Sequence, residues 1–446
     1  MLLYCVFLTR NNMLAMNFEA PPHFKNDYQP YIDSISLPGI EEFIKESDKR
    51  YFYWSEFKHK KNLLFEDPLD GWKVIKSYRM LRGKDLYFGT HKFQYNLTSY
   101  IQEDLHHFDL KLMGGLYKNS ITQQDQEEYF NNSLLEEAIA SSQIEGAATT
   151  TDVARDMIKS GRKPRNESEQ MIANNYNAIR EIESRLDENL SRELILDIHE
   201  LMTTKTDASI YAGKFRDHPI YVKDHVDGEI AFTAPDANEL ENLISGLITF
   251  INNEDDFIHP IIKASMLHFM VGYIHPFGDG NGRTARALFY WYLIKKGYTL
   301  LRHISISKAI LNSRVNYDKA FLKTEHDGND LTYFIMYSMK SLRVAFQNLV
   351  NFRDKKRAEQ QQASEIMYEL SKKDYNKRQA DLLGYLFVKP KANISINDYA
   401  KKHDVVRQTA SRDLQDLEKR GFLLKIKDGK NTLYKLINRE AVTNLL

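Results

Sequence analysis

The sequence predicts a mainly α-helical, multidomain protein in which β structure is confined to short hairpins and one small mixed unit. Three observations predict this. The chain has 446 residues, more than one core ordinarily organises. Apolar residues recur at helical spacing through its centre, at Leu134, Leu135, Ala138 and Ile139, and again at Ile172, Tyr176, Ile179 and Ile182. Asp227-Gly228 and Asp428-Gly429 each lie between short β-prone runs, the signal of a hairpin turn.

Residues 1–120 are rich in aromatics (Tyr51-Phe52-Tyr53-Trp54, Trp72, Tyr87-Phe88) and contain Pro21-Pro22 but no catalytic motif. They read as an accessory domain, mostly helical. Residues 121–351 carry the strongest periodicity, continued by Leu194, Ile198 and Leu201 and by Leu240, Leu243, Leu247 and Ile251. Ser160 to Pro164 reads as a loop between two of these helices, and Tyr221 to Thr233 as a hairpin inside an otherwise helical domain. Residues 352–374 are charged and Gln-rich, as a solvated linking helix would be, and residues 375–446 form a separate small domain.

Composition narrows the function classes. Hydrophobic content is 42% and aromatic content 12%, as in folded soluble domains. Lys+Arg and Asp+Glu are both 61, so net charge selects no partner. The single cysteine, Cys5, excludes an internal disulfide and a cysteine-rich metal site, in keeping with a reducing cytoplasm. Met1 to Leu8 is apolar, yet no basic residue precedes it and no small-residue cleavage site follows, so a signal peptide is not expected. Met13 and Met16 are alternative starts. Runs such as Ala287 to Ile294 are too short to span a bilayer, so no membrane partner is expected.

The chemistry concentrates in His275-Pro276-Phe277-Gly278-Asp279-Gly280-Asn281-Gly282-Arg283-Thr284-Ala285-Arg286. The preceding helix, about Ile261 to Tyr273, is apolar nearly all round and should be central. A residue before proline is pushed out of the right-handed α region, so His275 is expected to leave the helix extended, its ring projecting. The glycine-rich turn can bring backbone N–H groups to an anion, and a helix from about Arg283 to Ile294 presents its positive end to the same place. Arg283 and Arg286 add charge, Asp279 is a hard oxygen ligand suited to Mg²⁺, and His275 can accept a proton from a hydroxyl. A calcium loop is excluded because Arg283 occupies the next ligand position after Asp279 and Asn281.

This segment resembles the signature of the Fic family, His-x-Phe-x-Asp/Glu-Gly-Asn-Gly-Arg-x-x-Arg, at all eight specified positions. The resemblance implies a helical Fic core and transfer of AMP from ATP, with Mg²⁺, to a Ser, Thr or Tyr hydroxyl of a protein, releasing pyrophosphate. That protein could include this chain itself. It makes His275 the base, Asp279 the metal ligand, Phe277 a core anchor, and Gly278, Gly280, Asn281 and Gly282 the phosphate cradle. Arg283 and Arg286 become the β/γ-phosphate clamps. Ile220, Tyr221 and Val222 fall where the family carries a flap that receives the target as an added strand. Asn312 and Tyr317 fall near its adenine side. Upstream, Ser141-Ser142-Gln143-Ile144-Glu145-Gly146 resembles the family's inhibitory pattern, Ser/Thr-x-x-x-Glu-Gly/Asn, which implies that Glu145 engages Arg286, with Ser141 and Gly146 completing the motif. Other transferred groups, removal of AMP, and a nucleotide-sensing transcription regulator are the alternatives, and a homodimer is compatible with the sequence.

From Ser371 to Leu446 there are 17 Lys and Arg against 9 Asp and Glu, a net +8. A short helix from Ser395 to Lys402, a second from Arg407 to Arg420 and a basic hairpin through Asp428-Gly429 resemble a winged helix-turn-helix. That resemblance implies DNA as a partner, read by Arg407, Gln408, Ser411 and Arg412. Val406 departs from the pattern, which often has serine there.

Overall fold

A computed structural model describes residues 5–7, 18–23, 27–60, 64–112, 123–223, 230–389, 392–428, 431–437 and 439–443. The chain divides into two compact units, Met1–Leu349 and Val350–Leu446.

The first unit begins with helices Gln29–Ser34, Ile40–Arg50, Trp54–Phe57, Pro68–Arg82 and Ser99–Leu112. Pro68–Arg82 starts where its sequence directs: the Asp67 carboxylate accepts the Leu69 N–H, Pro68 occupies the first turn, and Arg79 and Arg82 complement the far end. Its Trp72 is fully buried among Phe57, Ile75 and Ile44. The region also holds an antiparallel hairpin, Lys84–Phe88 with His91–Tyr95, which the sequence reading passed over. Its turn is Gly89-Thr90, with Gly89 at φ 55, and lacks the Asp-Gly signal.

A buried polar cluster fixes these helices on the rest of the unit. Lys76 Nζ lies 2.9 Å from Asp327 Oδ2, Tyr51 donates to Asp330 Oδ2 at 2.6 Å, and Arg79 Nη1 donates to the Tyr333 hydroxyl at 3.0 Å. Each charge has a partner, as burial requires, so the cluster specifies one docking register for the accessory helices.

Pro260–Ile274 and Asn281–Lys295 form the centre, buried on almost every side. Helices Gln123–Ile144, Glu167–Ile182, Arg192–Thr203 and Leu240–Asn252 pack around them through the predicted stripes, with Leu135, Ala138, Ile172, Ile179, Leu194, Ile198, Leu243 and Leu247 buried. Gly272 keeps the first central helix open to a neighbour, since a Cβ there would sit 2.7 Å from the Phe321 ring. The expected hairpin pairs Tyr221–Lys223 with Ile230–Thr233, and Cys5–Phe7 adds a parallel strand on its outer edge. Asp227-Gly228 lies outside the described residues.

Helix Thr332–Ser371 is continuous over 40 residues. Within the second unit, helices Lys377–Val388, Ile396–Lys402 and Arg407–Lys419 and a three-stranded sheet enclose Leu370, Leu382, Leu383, Tyr399, Leu414, Leu417 and Tyr434. The sheet runs Asn393–Ser395, Asn431–Leu436, Leu423–Asp428. Ser395 caps Ile396–Lys402 by accepting the Asp398 N–H, whereas Val406 precedes Arg407–Lys419 without a side-chain cap. Buried Asp413 ties the helices together, accepting from Asn376, Arg378 and the Tyr399 hydroxyl. Among the described residues, no helix is long and apolar enough to cross a membrane.

Candidate active site

The loop between the two central helices places His275 first. His275 is left-handed (φ 49, ψ 57), not extended as expected. Pro276 excludes the right-handed α region for its neighbour, but a left-handed exit keeps the His275 N–H on the Val271 carbonyl and closes the helix. The ring turns inward. Nδ1 lies 3.0 Å from the Gly272 carbonyl, which can only accept, so Nδ1 carries the proton and Nε2 a free lone pair. Nε2 is buried and has no hydrogen-bond partner. Burial lowers the His275 pKa below its ordinary value, against opposing pulls from the Gly272 bond and the Glu145 carboxylate, so the imidazole is neutral at physiological pH.

The loop itself is tightly built. Phe277 is fully buried and stacks on His199 at 3.6 Å and 2°. Asn281 accepts the Phe277 N–H at 2.9 Å and donates to the Phe277 carbonyl at 2.8 Å. Its side chain therefore closes the loop. Gly278 faces the Tyr211 ring, where a Cβ would come within 2.6 Å, and Gly280 is left-handed at φ 85. Asp279 is half-exposed; its Oδ1 accepts from the Gly280 N–H and from Arg283 Nη2 at 3.3 Å. No described group gathers three or more His, Cys, Asp or Glu side chains at metal-binding spacing. One half-exposed carboxylate suits a cation that takes its other ligands from phosphate oxygens and water.

The two arginines differ from one another. Arg283 is buried and donates Nη1 to the Met202 carbonyl at 2.9 Å, so part of its fork is committed to structure. Arg286 donates Nε to Ser141 Oγ, and Nη2 to both the Ser141 carbonyl and Glu145 Oε1, each at 2.9 Å. Its Nη1 has no partner. Burial raises the Glu145 pKa, but Arg286, Arg314 and Arg283 outweigh it and hold the carboxyl below its ordinary value. Gly282 makes this approach feasible, since a Cβ there would lie 2.1 Å from Glu145 Oε1. Gly146, left-handed at φ 103, turns the chain immediately afterwards.

Residues 189–293, which contain this loop and both arginines, match the model of the Fic/DOC family. This stretch is a Fic domain. Over 105 residues it is 36% identical to "Protein adenylyltransferase Fic" of Aedes aegypti, a match covering 23% of this chain and 19% of that one. The protein of the same name from Nematostella vectensis is 32% identical over 112 residues, 25% of this chain and 24% of its own. The match thus spans about a fifth of the length of these curated relatives. In fold, the chain resembles a Fic family protein from Desulfovibrio desulfuricans G20, with a TM-score of 0.52, 17% identity, and coverage of 77% of this chain and 98% of that one. It also resembles residues 134–508 of Fic-1 from C. elegans, with a TM-score of 0.51, 16% identity, and coverage of 74% and 89%.

Outside the Fic motif the other anticipated residues are placed unevenly. Tyr221 and Val222 are half-buried on the hairpin strand, while Ile220 is fully buried and faces the core. Asn312 is exposed, whereas Tyr317 is buried with its hydroxyl 3.0 Å from His268 Nε2. In the second unit Arg407, Gln408 and Arg412 are exposed and Ser411 half-buried, on the outer face of their helix.

Several residues that sequence reading missed hold the site in place. His199 accepts the Gly213 N–H at Nδ1, so Nε2 carries the hydrogen it donates to the Asp279 carbonyl at 2.8 Å. Burial lowers its pKa to about 4, which preserves that tautomer. Arg314 donates to the Ile144 carbonyl at 2.6 Å, capping the helix that leads into Glu145. Glu137, buried two turns earlier, accepts from Tyr290, Ser305 and the Ser307 N–H. Arg216 donates to the carbonyls of His275 (2.8 Å), His218 (2.8 Å), Pro235 (2.5 Å) and Ile274 (3.3 Å), tying the hairpin to the loop that begins at His275. No sequence signal marks such roles, because each is a long-range bond to a backbone carbonyl or side chain. Arg216→Ala strands these buried acceptors and should cost roughly 3 kcal/mol or more of stability, read from the denaturant midpoint. A loss below about 1 kcal/mol would refute the tie.

Proposed function

We propose that this chain is a self-inhibited protein adenylyltransferase that moves AMP from ATP to a hydroxyl of a target protein. The observation that carries the reading is the neutral, buried and unpartnered Nε2 of His275, beside Asp279 and the N-terminus of helix Asn281–Lys295. A hydroxyl docked at Nε2 gives its proton to the imidazole while its oxygen attacks the α-phosphorus. The bond from that phosphorus to the bridging oxygen breaks, and pyrophosphate leaves with the electron pair. The helix N-terminus and the glycines Gly280 and Gly282 suit the phosphates. Arg286 Nη1, without a partner, suits their outer oxygens. Asp279 would hold Mg²⁺, which supplies charge neutralisation at the phosphates when bound. Tyr221–Lys223 pairs with Cys5–Phe7 on one side and Ile230–Thr233 on the other, so a target segment lying alongside it would take the place of Cys5–Phe7.

The contacts of Arg286 support self-inhibition. Glu145 and Ser141 already use three of the hydrogen bonds that Arg286 can offer, and the carboxylate abuts Gly282, so phosphates must displace Glu145 to be held in line. The second unit adds a DNA-contacting module of winged-helix type, favoured by the exposed Arg407, Gln408 and Arg412 and by its net charge of +8 over residues 371–446.

One assay tests the enzyme. The chain, incubated with Mg²⁺ and ATP labelled in either the α- or the γ-phosphate, should label protein from the α-position only. His275→Ala should lower the rate by ~10²-fold or more. Glu145→Gly should raise it roughly tenfold or more, what one charge-assisted hydrogen bond of ~1.5–3 kcal/mol is worth. Label from the γ-position would mean a kinase, no label in any variant would mean a nucleotide sensor, and equal rates for Glu145→Gly and the parent would remove the brake. For the second unit, binding to genomic fragments should weaken steeply with salt and fall further in Arg407→Ala/Arg412→Ala, whereas absent or salt-independent binding would contradict a DNA role.

A further inference from the structure

A cavity whose lining shares no residue with the His275–Arg286 segment lies in the first unit, lined from helices Ile40–Arg50, Arg314–His326 and Thr332–Ser371. It encloses about 580 Å³, several times the volume of a lone phosphate and within the range of small-molecule sites. Its charge is lopsided. Lys49, Arg50, Lys319 and Lys340 line it, and no described carboxylate pairs with any of them. Its two acids are already taken, Glu19 by Lys58 and Trp54 and Glu56 by Lys323 at 2.6 Å.

Helix polarity accounts for only half of these cations. Lys49 and Arg50 sit in the last turn of their helix, where positive charge complements the dipole. Lys319 and Lys340 lie in helix interiors, where that reason does not apply, and Lys319 is half-buried. Aromatic rings share the lining. Tyr51 and Tyr333 contribute their rings, their hydroxyls being engaged by Asp330 and Asp327, and half-buried Tyr100 and Tyr337 line it as well. Convergent unpaired cations beside aromatic walls suit an anion attached to a flat ring.

We propose that this cavity binds a nucleoside phosphate at a site separate from the catalytic loop. The cations take the phosphate and the tyrosines the base.

Residue-resolved lysine acetylation of the full chain tests this, with AMP as the probe because AMP has no leaving pyrophosphate and is not turned over. AMP should slow acetylation of Lys319 and Lys340 at least severalfold while leaving Lys159, exposed on helix Thr151–Ser160, unchanged. The protection should persist in Asn281→Ala, which removes the side chain that closes the catalytic loop, and Lys340→Glu should weaken AMP protection of Lys319. The proposal is overturned by equal acetylation with and without AMP, by matching protection of Lys159, or by protection that disappears in Asn281→Ala. Protection as strong from inorganic pyrophosphate as from AMP would also overturn it, by removing the nucleoside from the recognition.

Discussion

A hydrogen bond between His275 Nδ1 and the Gly272 carbonyl decides which imidazole nitrogen is available, and the site is arranged around that choice. With the proton committed to Nδ1, the lone pair on Nε2 points into a buried space without a partner. The left-handed backbone of His275 makes the bond geometrically available, and Pro276 makes that backbone favourable by closing off the right-handed alternative. Arg216 holds the next carbonyl out and His199 holds the far side of the loop at Asp279, so both ends of the turn are fixed from outside it. An apolar pair of central helices supplies the rigid frame on which a sub-ångström arrangement of this kind can persist.

Arg286 is the point at which folding and chemistry compete. Three of its donor contacts go to the segment around Ser141 and Glu145, and one terminal nitrogen is left over. The carboxylate of Glu145 stays ionised because three guanidinium groups surround it, so this contact does not relax at mildly acidic pH. Glu137 and Arg314 fasten the same helix at either side of the contact, which makes displacement of Glu145 a local movement and not a loss of the whole helix. In the proposed function a ligand gains Nε and Nη2 of Arg286 only by outcompeting contacts already made, and its net affinity is reduced by that amount.

Much of this was legible in the sequence. Helical periodicity at Ile172, Ile179, Leu194 and Ile198 predicted the packed faces because burial of a stripe is a local property of spacing. The motif from His275 to Arg286 and the Ser141–Glu145 pair were legible because each is contiguous. Their meeting across the fold was implied only through the family resemblance. The Lys84–Tyr95 hairpin was not legible, since Gly89-Thr90 is a weak turn signal and its pairing is stabilised by burial of Phe88 and Phe93. The conformation of His275 was misjudged because proline forbids one backbone region without selecting among the rest. That the Asn281 side-chain amide closes the loop was not legible either, because it depends on loop geometry and not on residue type.

The most direct test is a histidine-resolved NMR titration of the full chain, following the ring nitrogens of His275. The account predicts a neutral Nδ1–H tautomer at physiological pH, with a pKa below the ordinary histidine value because burial disfavours the charged ring. An Nε2–H tautomer, or a pKa at or above that ordinary value, would contradict it, since the nitrogen assigned to receive the proton would already carry one.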